Sequence, residues 1–224
     1  INTMNAIEQF TDVDFTQEVD EEACSIRFIV DTSTKETALL LETMVLGLQT
    51  LEDDNNYTEY IDLIFECMNY SGIVNCSIVD GVGFRTTLFI SGCKHCCEGC
   101  QNSHTWDFNA GRPYTEEVEE ILFDRISEDY IKGLTLSGGD PLYSADDVYE
   151  LLVRFRERFG DTKSVWLYTG FKYEYCKEHF SNILDLCDVL VDGTYKCDER
   201  DTTLAFRGSR NQRVIDLKSG EEMY

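Results

Sequence analysis

Three closely spaced cysteines are the residues of this chain best suited to chemistry. Cys93, Cys97 and Cys100 follow the spacing C-x3-C-x2-C within TTLFISGCKHCCEGCQNSHT (86–105), and Cys96 lies inside the pattern as an extra thiol. Three thiolates this close on one loop can bind three irons of a cubane iron–sulfur cluster, whereas a cluster held entirely by protein needs four cysteines. Because no fourth cysteine follows at short range, the spacing predicts a [4Fe–4S] cluster with one iron open to a ligand that is not protein.

Other uses of these thiols remain open at this point. Zinc ribbons use two C-x2–4-C knuckles, and this chain has one, with no second pair downstream. A thioredoxin-type C-x-x-C redox pair formed by Cys97 and Cys100 would leave Cys93 without a role. The spacing favours the cluster over zinc or a redox pair without excluding either.

The segments that must position this loop alternate between strands and helices. Four short apolar runs predict strands, and the stretches between them have helical periodicity. The predicted strands are TTLFISG (86–92), GLTLSG (133–138), SVWLYTG (164–170) and VLVDGTY (189–195), and the predicted helices are 115–126, 144–160 and most of 172–187. Such alternation indicates an α/β fold with a parallel sheet and helical crossovers. The roughly 157 residues from Met68 onward are too few for a closed eight-unit barrel of typically ~250 residues, so we expect a partial, open βα barrel.

The predicted strands end in glycine or polar residues, where parallel α/β sheets place their ligands. We therefore expect the cysteine loop and the GGD turn formed by Gly138, Gly139 and Asp140 to face one cavity. The two glycines would let the backbone approach a ligand closely, and Asp140 offers an acceptor for a cation. An ordinary strand-to-loop turn is the alternative interpretation of GGD.

The first 67 residues differ in composition from the rest of the chain. They carry sixteen Asp/Glu against two Lys/Arg, whereas residues 68–224 carry twenty-seven against seventeen, which predicts a domain boundary near Met68. Within this acidic α/β extension we expect a mobile lead-in over 1–23, a strand over 24–31 and helices over 37–51 and 57–68. We interpret the extension as an appendage without chemistry of its own, with a partner-docking module as the alternative.

Overall composition limits the possible partners and the compartment. The formal net charge is −24, which disfavours nucleic-acid binding because no basic patch offsets repulsion from phosphate. No apolar run reaches the ~18 residues needed to cross a membrane, and no signal-peptide pattern is present at the N-terminus. We therefore expect a cytoplasmic protein without membrane attachment, in which the ten cysteines are reduced or bind metal.

Several motifs beyond the cysteines resemble one family. The strings SGCKHCCEGCQNSHTW, SIVDGVGFR, GLTLSGGDPL, VLVDGTY and FRGSRNQRVID together resemble the radical S-adenosylmethionine (SAM) superfamily. Within it they are similar to the activating proteins of the anaerobic ribonucleoside-triphosphate reductase, a glycyl-radical enzyme. The resemblance extends from about Met68 to the C-terminus. One departure is Gln101, because the family commonly has an aromatic residue after the third cysteine.

The resemblance implies a radical SAM fold, two cofactors and a reaction. Cys93, Cys97 and Cys100 would be catalytic as the ligands of a [4Fe–4S] cluster, and SAM would bind its open iron. Gly99, Cys100 and Gln101 would lie against the adenosine, and Gly138–Asp140 would receive the amino group of SAM. Reductive cleavage of SAM would then give methionine and a 5′-deoxyadenosyl radical, which takes a hydrogen atom from a glycine of the reductase. A flavodoxin-type protein would donate the electron.

Some residues and functions are left open. Asp192 and the segment 207–212 match family motifs without individual roles, and Cys96 is interpreted as a bystander. Cys176 and Cys187 are expected to be core or surface fillers, and His95 and His104 to make simple polar contacts. The alternative functions are activation of another glycyl-radical enzyme, a small-molecule radical SAM reaction such as deazapurine synthesis, or a non-catalytic iron–sulfur or zinc protein that carries electrons or acts as a scaffold.

Overall fold

The computed structural model describes residues 15–20, 25–30 and 68–224. The chain divides into two compact units, 1–66 and 67–224, and each is described by itself. In the first unit, β1 (Phe15–Asp20) pairs antiparallel with β2 (Ser25–Val30). The strand β2 was predicted, whereas β1 lies in the segment expected to be a mobile lead-in, so that expectation was wrong for these six residues. The helices predicted at 37–51 and 57–68 lie outside the described residues, except for Met68, which is not helical.

The second unit is built on a mixed, open sheet of seven strands. Its order is β5-β3-β4-β6-β7-β8-β9, with β3 (Asn69–Ser77), β4 (Phe84–Ile90), β5 (Arg112–Pro113), β6 (Ile131–Gly138), β7 (Ser164–Tyr168), β8 (Val189–Asp192) and β9 (Arg213–Asp216). The four central strands β4, β6, β7 and β8 are parallel, and the other three pair antiparallel. The predicted α/β class with an open sheet is confirmed.

Helices connect the parallel strands, as the alternating pattern predicts. They are α1 (Glu116–Ser127), α2 (Ala145–Phe159), α3 (Tyr173–His179) and α4 (Ser181–Leu184). The Thr115 side chain caps α1 by accepting a hydrogen bond from the Val118 amide. Three glutamates in the first turn of α1 interact favourably with the positive N-terminal end of the helix dipole. Among the described residues, no helix is long and apolar enough to cross a membrane.

Side chains of the parallel strands alternate between two environments. One set packs against the helices in the main core and includes Leu88, Leu136 and Leu167. The residues between them point to the opposite face, where Trp166 and Val191 form a smaller apolar cluster together with Tyr168 and Phe206. This alternation follows from the period of two in a β-strand. The helices therefore cover one face, and the other is left for a loop from the C-terminal part of the chain.

The segment before the cysteine motif differs from its prediction. No strand was predicted between Met68 and the run at 86–92, but β3 occupies 69–77 and pairs antiparallel with β4. Irregular register between Tyr70 and Gly72, and again between Val74 and Ser77, breaks the alternation of side chains. Because of these irregularities, the period of two is hidden in the sequence.

Candidate functional site

The cysteine loop begins where β4 ends, at the carboxyl edge of the parallel strands. Its first residues are held by backbone hydrogen bonds from Gly92 N to Thr105 O (2.8 Å) and from Cys93 N to Trp106 O (3.0 Å). Cys93, Cys97 and Cys100 are half-buried. Backbone hydrogen bonds therefore fix the first residues of the loop, while the three thiols lie near the surface.

The environment of the thiols suits a cluster ligated by thiolates. Burial raises the pKa of the Cys93 thiol to about 11, with a smaller contribution from the nearby Cys97. Burial also raises the pKa of Cys97, and Cys100 is close enough to add to this effect. Backbone N–H groups of His95 and Tyr195 favour the thiolate forms of Cys93 and Cys97, respectively. Neighbouring soft thiols with N–H groups directed at sulfur fit an iron–sulfur cluster.

A mononuclear metal site is a different arrangement. In residues 68–224, no three His, Cys, Asp or Glu side chains are gathered so that they could hold one metal ion. A cubane cluster differs from such a site, because each cysteine binds a separate iron. Three thiols on one loop in the spacing C-x3-C-x2-C suit that arrangement.

Gly138 and Gly139 adjoin the start of the cysteine loop. The Gly139 amide donates to Ile90 O (2.7 Å), and the Asp140 amide donates to Gly92 O (2.9 Å). A Cβ atom on Gly138 would lie 2.3 Å from Ile90 O, and one on Gly139 would lie 2.4 Å from Gly92 O. The close approach that these glycines permit in the structure is to the chain's own backbone.

Asp140 joins the loops that follow three neighbouring strands. Its side chain is 1% exposed, and its Oδ2 accepts from His95 Nε2 (2.8 Å), Thr169 Oγ1 (2.9 Å) and the Gly170 amide (2.8 Å). The other oxygen, Oδ1, accepts from the Leu142 amide (3.0 Å). Both carboxylate oxygens are therefore engaged within the protein, and His95 makes the simple polar contact that was expected.

A second buried carboxylate organises the end of β8. Asp192 is fully buried, and it accepts hydrogen bonds from the Arg213 guanidinium and from the Tyr173 amide at the start of α3. It thereby connects three consecutive elements, β8, β9 and α3. In the structure, Asp192 therefore has a positioning role at this edge.

The loop of residues 193–212 is fixed by its polar side chains. Gln212 Oε1 accepts from the Gly208 and Ser209 amides, while its Nε2 donates to Gly193 O (2.9 Å). Asn211 Nδ2 donates to Thr194 O (2.8 Å). Because these bonds join both ends of the loop, we expect the loop to keep a defined conformation over the face of the sheet opposite the helices.

A cavity of about 770 Å³ lies between this loop and the sheet. Phe89, Ser137 and Tyr168 line it from the strands, and Cys100 and Gln101 line it from the cysteine loop. The opposite wall comes from the C-terminal loop and includes Tyr195, Arg200, Phe206 and Arg207. Gly138–Asp140 border the cysteine loop without lining this cavity.

The chain matches known proteins over most of its second unit. Residues 79–215 match the family described as a 4Fe-4S single cluster domain. The anaerobic ribonucleoside-triphosphate reductase-activating protein of Escherichia coli K12 is 40% identical over 155 residues, which is 67% of this chain and 100% of that protein. The protein of the same name from Enterobacteria phage T4 is 41% identical over 155 residues, covering 68% of this chain and 97% of its own length.

The chain belongs to this family of activating proteins. The protein of the same name from Vibrio cholerae is 40% identical over 151 residues, which cover 97% of its length. Family membership confirms the predicted resemblance and adds a 4Fe-4S cluster domain to the description of the chain. The zinc and thioredoxin interpretations of the cysteines are thereby disfavoured.

Some residues of the site were missed from sequence, and others behave as predicted. Thr169 and Tyr195 contact site residues, and their only sequence signal was a position at or near the end of a predicted strand. Cys176 and Cys187 are buried in the main core, as fillers should be. Cys96 and His104 are exposed.

Proposed function

We propose that this protein is a radical SAM activase that generates a glycyl radical on the anaerobic (class III) ribonucleoside-triphosphate reductase. One observation carries the proposal: three half-buried thiols share one loop at the carboxyl edge of four parallel strands, beside a cavity of about 770 Å³. Membership of the activating-protein family supports the assignment. The open sheet is compatible with the proposed partial βα barrel of the radical SAM type.

In this proposal Cys93, Cys97 and Cys100 hold the [4Fe–4S] cluster. The amide of His95 stabilises the Cys93 thiolate, and the amide of Tyr195 does the same for Cys97. Because burial raises the pKa of both thiols, binding to iron must displace their protons. When bound, the reduced cluster supplies the electron that cleaves SAM reductively.

SAM would lie along the cysteine loop. Cys100 and Gln101 line the cavity, and in this proposal they contact the adenosine together with Gly99. The amino group of SAM would meet the backbone carbonyls of Gly138 and Gly139, because the Asp140 carboxylate already accepts four hydrogen bonds. Asp140 would act by holding His95 and the glycine turn in place.

Two protein partners follow from this function. The reductase would present its glycine to the cavity, and a flavodoxin-type protein would donate the electron. The acidic net charge of −24 opposes binding to nucleic acid. Residues 68–224 would suffice for the chemistry, because the aligned part of this chain, about two thirds of its length, matches the relatives over nearly their whole length.

The decisive experiment combines the protein with a candidate partner under anaerobic conditions. The reconstituted full chain, SAM, a reductant and anaerobic ribonucleotide reductase are mixed, and a glycyl radical is sought by electron paramagnetic resonance. We expect a radical on the reductase together with release of 5′-deoxyadenosine. Iron uptake without any SAM cleavage would instead favour an electron carrier.

The same assay tests the role of the first unit. A chain that consists of residues 68–224 is expected to take up the same amount of iron and to cleave SAM at a similar rate. Loss of the cluster in this shorter chain would contradict the interpretation of the extension as an appendage.

A further inference from the structure

A groove of about 450 Å³ lies between the helix α1 and the strands β3 and β5 at one edge of the sheet. Residues 70–73 line it from β3, Arg112 lines it from β5, and Val118, Ile121 and Arg125 line it from α1. Ile121 is 50% exposed, so the part of α1 that borders the groove is only partly covered within residues 68–224. The groove is therefore a largely apolar surface that is accessible from outside the second unit.

The charge of this groove is opposite to that of the chain. Among the described residues that line it, Arg112 and Arg125 are charged and none is acidic, although the chain carries 43 Asp/Glu against 19 Lys/Arg. Within residues 68–224 neither guanidinium forms an ion pair, whereas Arg154 and Arg158 of α2 are paired with glutamates of α1. Two unpaired cations beside an apolar surface favour a ligand with both acidic and apolar side chains.

The strand β3 has a free edge beside this groove. The strand β5 pairs only with Asn69 and Tyr70, so within the described residues the stretch 71–77 has a neighbouring strand, β4, on one side only. A Cβ atom on Gly72 would meet no atom within 4 Å, which leaves open space over the strand at this point. The free edge of a strand presents backbone N–H and C=O groups to which an extended segment of another chain can add.

The same strand leads from the groove to the cavity beside the cysteine loop. Residues 70–73 line the groove, whereas Val74 and the segment 77–79 line the cavity of about 770 Å³. The side chains of Val74, Ile78 and Val79 are exposed, so apolar surface continues along this route. A segment of seven residues paired with the free edge would extend over roughly 20 Å. One extended chain could therefore contact the groove and reach the cavity.

We propose that the groove and the free edge of β3 form the docking site for an extended, acidic segment of the protein substrate. The inference rests on the proposed function, in which a glycine of the reductase must enter the cavity. Acidic side chains of the segment would pair with Arg112 and Arg125, its apolar side chains would cover the groove, and its backbone would add to residues 71–77. The adjoining part of the reductase would then enter the cavity.

Two other occupants fit the groove less well. The electron donor has no need to reach the cavity, whereas the substrate glycine does, so the continuity of groove and cavity favours the reductase. A second copy of this chain would pair the two β3 edges about a twofold axis, which would bring the same positive groove from both copies into one interface.

The first test measures activation of the reductase by the reconstituted full chain. Arg112→Gln and Arg125→Gln each remove one charge from the groove. Each should raise the concentration of reductase that gives half-maximal activation about two- to five-fold, and the double variant should raise it about ten-fold. The effect should appear in this concentration rather than in the rate at saturating reductase. Lys218→Gln is the matched control, because it removes a 75% exposed cation just after β9, at the opposite edge of the sheet.

The second test examines the strand edge by hydrogen exchange and mass spectrometry. The amides of residues 71–77 that face the free edge should exchange rapidly in the full chain with SAM, and slowly once the reductase is added. Protection of this stretch, together with higher half-maximal concentrations for the two arginine variants, supports the docking site. Absence of protection, or unchanged half-maximal concentrations for both variants, overturns it.

Three further outcomes would also overturn the inference. An equal rise for Lys218→Gln would show that only the net charge matters. A rise in the half-maximal concentration of a flavodoxin, with that of the reductase unchanged, would assign the groove to the electron donor. Loss of a dimer in the arginine variants, measured by analytical ultracentrifugation, would assign it to a second copy. If the wild type generated no glycyl radical, the proposed function would fail instead, while protection of 71–77 by the reductase would still support docking.

Discussion

The two faces of the central sheet come from the same strands but differ in what their side chains do. Facing the helices, Leu88, Leu136 and Leu167 are fully buried in one apolar core. On the other face, Ser137 and Tyr168 line a cavity that also reaches the cysteine loop. A shift of one residue along a strand therefore moves a side chain from a packing role to a place beside the site.

We therefore expect the helix-covered face to determine stability and the opposite face to determine binding and catalysis. Substitutions on the helix-covered face should change the free energy of unfolding, because close-packed apolar side chains leave cavities when they are truncated. Substitutions in the loops over the other face should change binding and catalysis with little effect on folding. The buried carboxylates at the carboxyl edge, Asp140 and Asp192, belong to both regions, since they fix the loops on the folded sheet.

The largest effect should come from the cysteine loop. Cys97→Ala is expected to abolish cleavage of SAM, because the cluster loses one of three protein ligands, while the free energy of unfolding of the metal-free chain changes little. Iron content and 5′-deoxyadenosine release measure the effect. Cys96→Ala is the matched control, since this exposed thiol lies in the same loop and is not an assigned ligand. Full activity of Cys97→Ala would remove this residue from the ligand set.

The next effect should appear in stability on the helix-covered face. Leu136 is fully buried, so Leu136→Ala should lower the free energy of unfolding by about 2–5 kcal/mol, as measured by urea denaturation. Ser137→Ala changes the adjacent residue on the other face and should stay within about 0.5 kcal/mol of wild type. Equal losses for both variants would contradict the division between the faces.

A smaller effect is expected where the two regions meet. Asp140→Asn would place an amide N–H₂ group among four donors, so we expect a loss of about 2–3 kcal/mol in the free energy of unfolding. Iron uptake should also fall, because the neutral amide, with one accepting oxygen instead of two, holds His95 of the cysteine loop less firmly. The control is Asp146→Asn at an exposed position near the start of α2. A stable Asp140→Asn variant with normal iron content would show that the carboxylate does not organise the loops.

The smallest effect concerns pH at the rim of the sheet. A hydrogen bond from Arg213 lowers the pKa of Glu174 from 4.5 to about 2. A carboxyl group with a lowered pKa adds stability that is present above pH 4.5 and is lost as the pH falls towards 2. Glu174 is 68% exposed, so solvent screening keeps this contribution below about 1 kcal/mol.

Glu174→Gln tests this contribution directly. Urea denaturation at several pH values between 5 and 2 should give a flatter loss of stability for the variant than for the wild type, with the two curves closest at the acid end. Asp192 keeps its contact with Arg213 in this variant, so the edge of the sheet should stay folded. Parallel curves over the whole range would show that the ion pair contributes nothing.

Local patterns in the chain account for the parts that could be predicted. The apolar runs at 133–138 and 164–170 predict strands, because a buried parallel strand needs apolar residues on both faces. The helical periodicity of the apolar residues between Ser144 and Gly160 predicts the helix α2. The strand β3 was missed because its irregular register leaves no clear period in the sequence.

The sequence by itself determined the cysteine loop, the alternation of strands and helices, and the family to which the chain belongs, because these depend on residue types at short spacing. Only the tertiary structure decided that the Asp140 carboxylate is engaged by the protein, that Gly138 and Gly139 adjoin the cysteine loop, and that Glu222 anchors Arg207. These facts depend on contacts between residues far apart in the chain, such as His95 with Asp140 and Arg207 with Glu222. Such contacts arise when strands pair and loops pack, and no local pattern of residues records them.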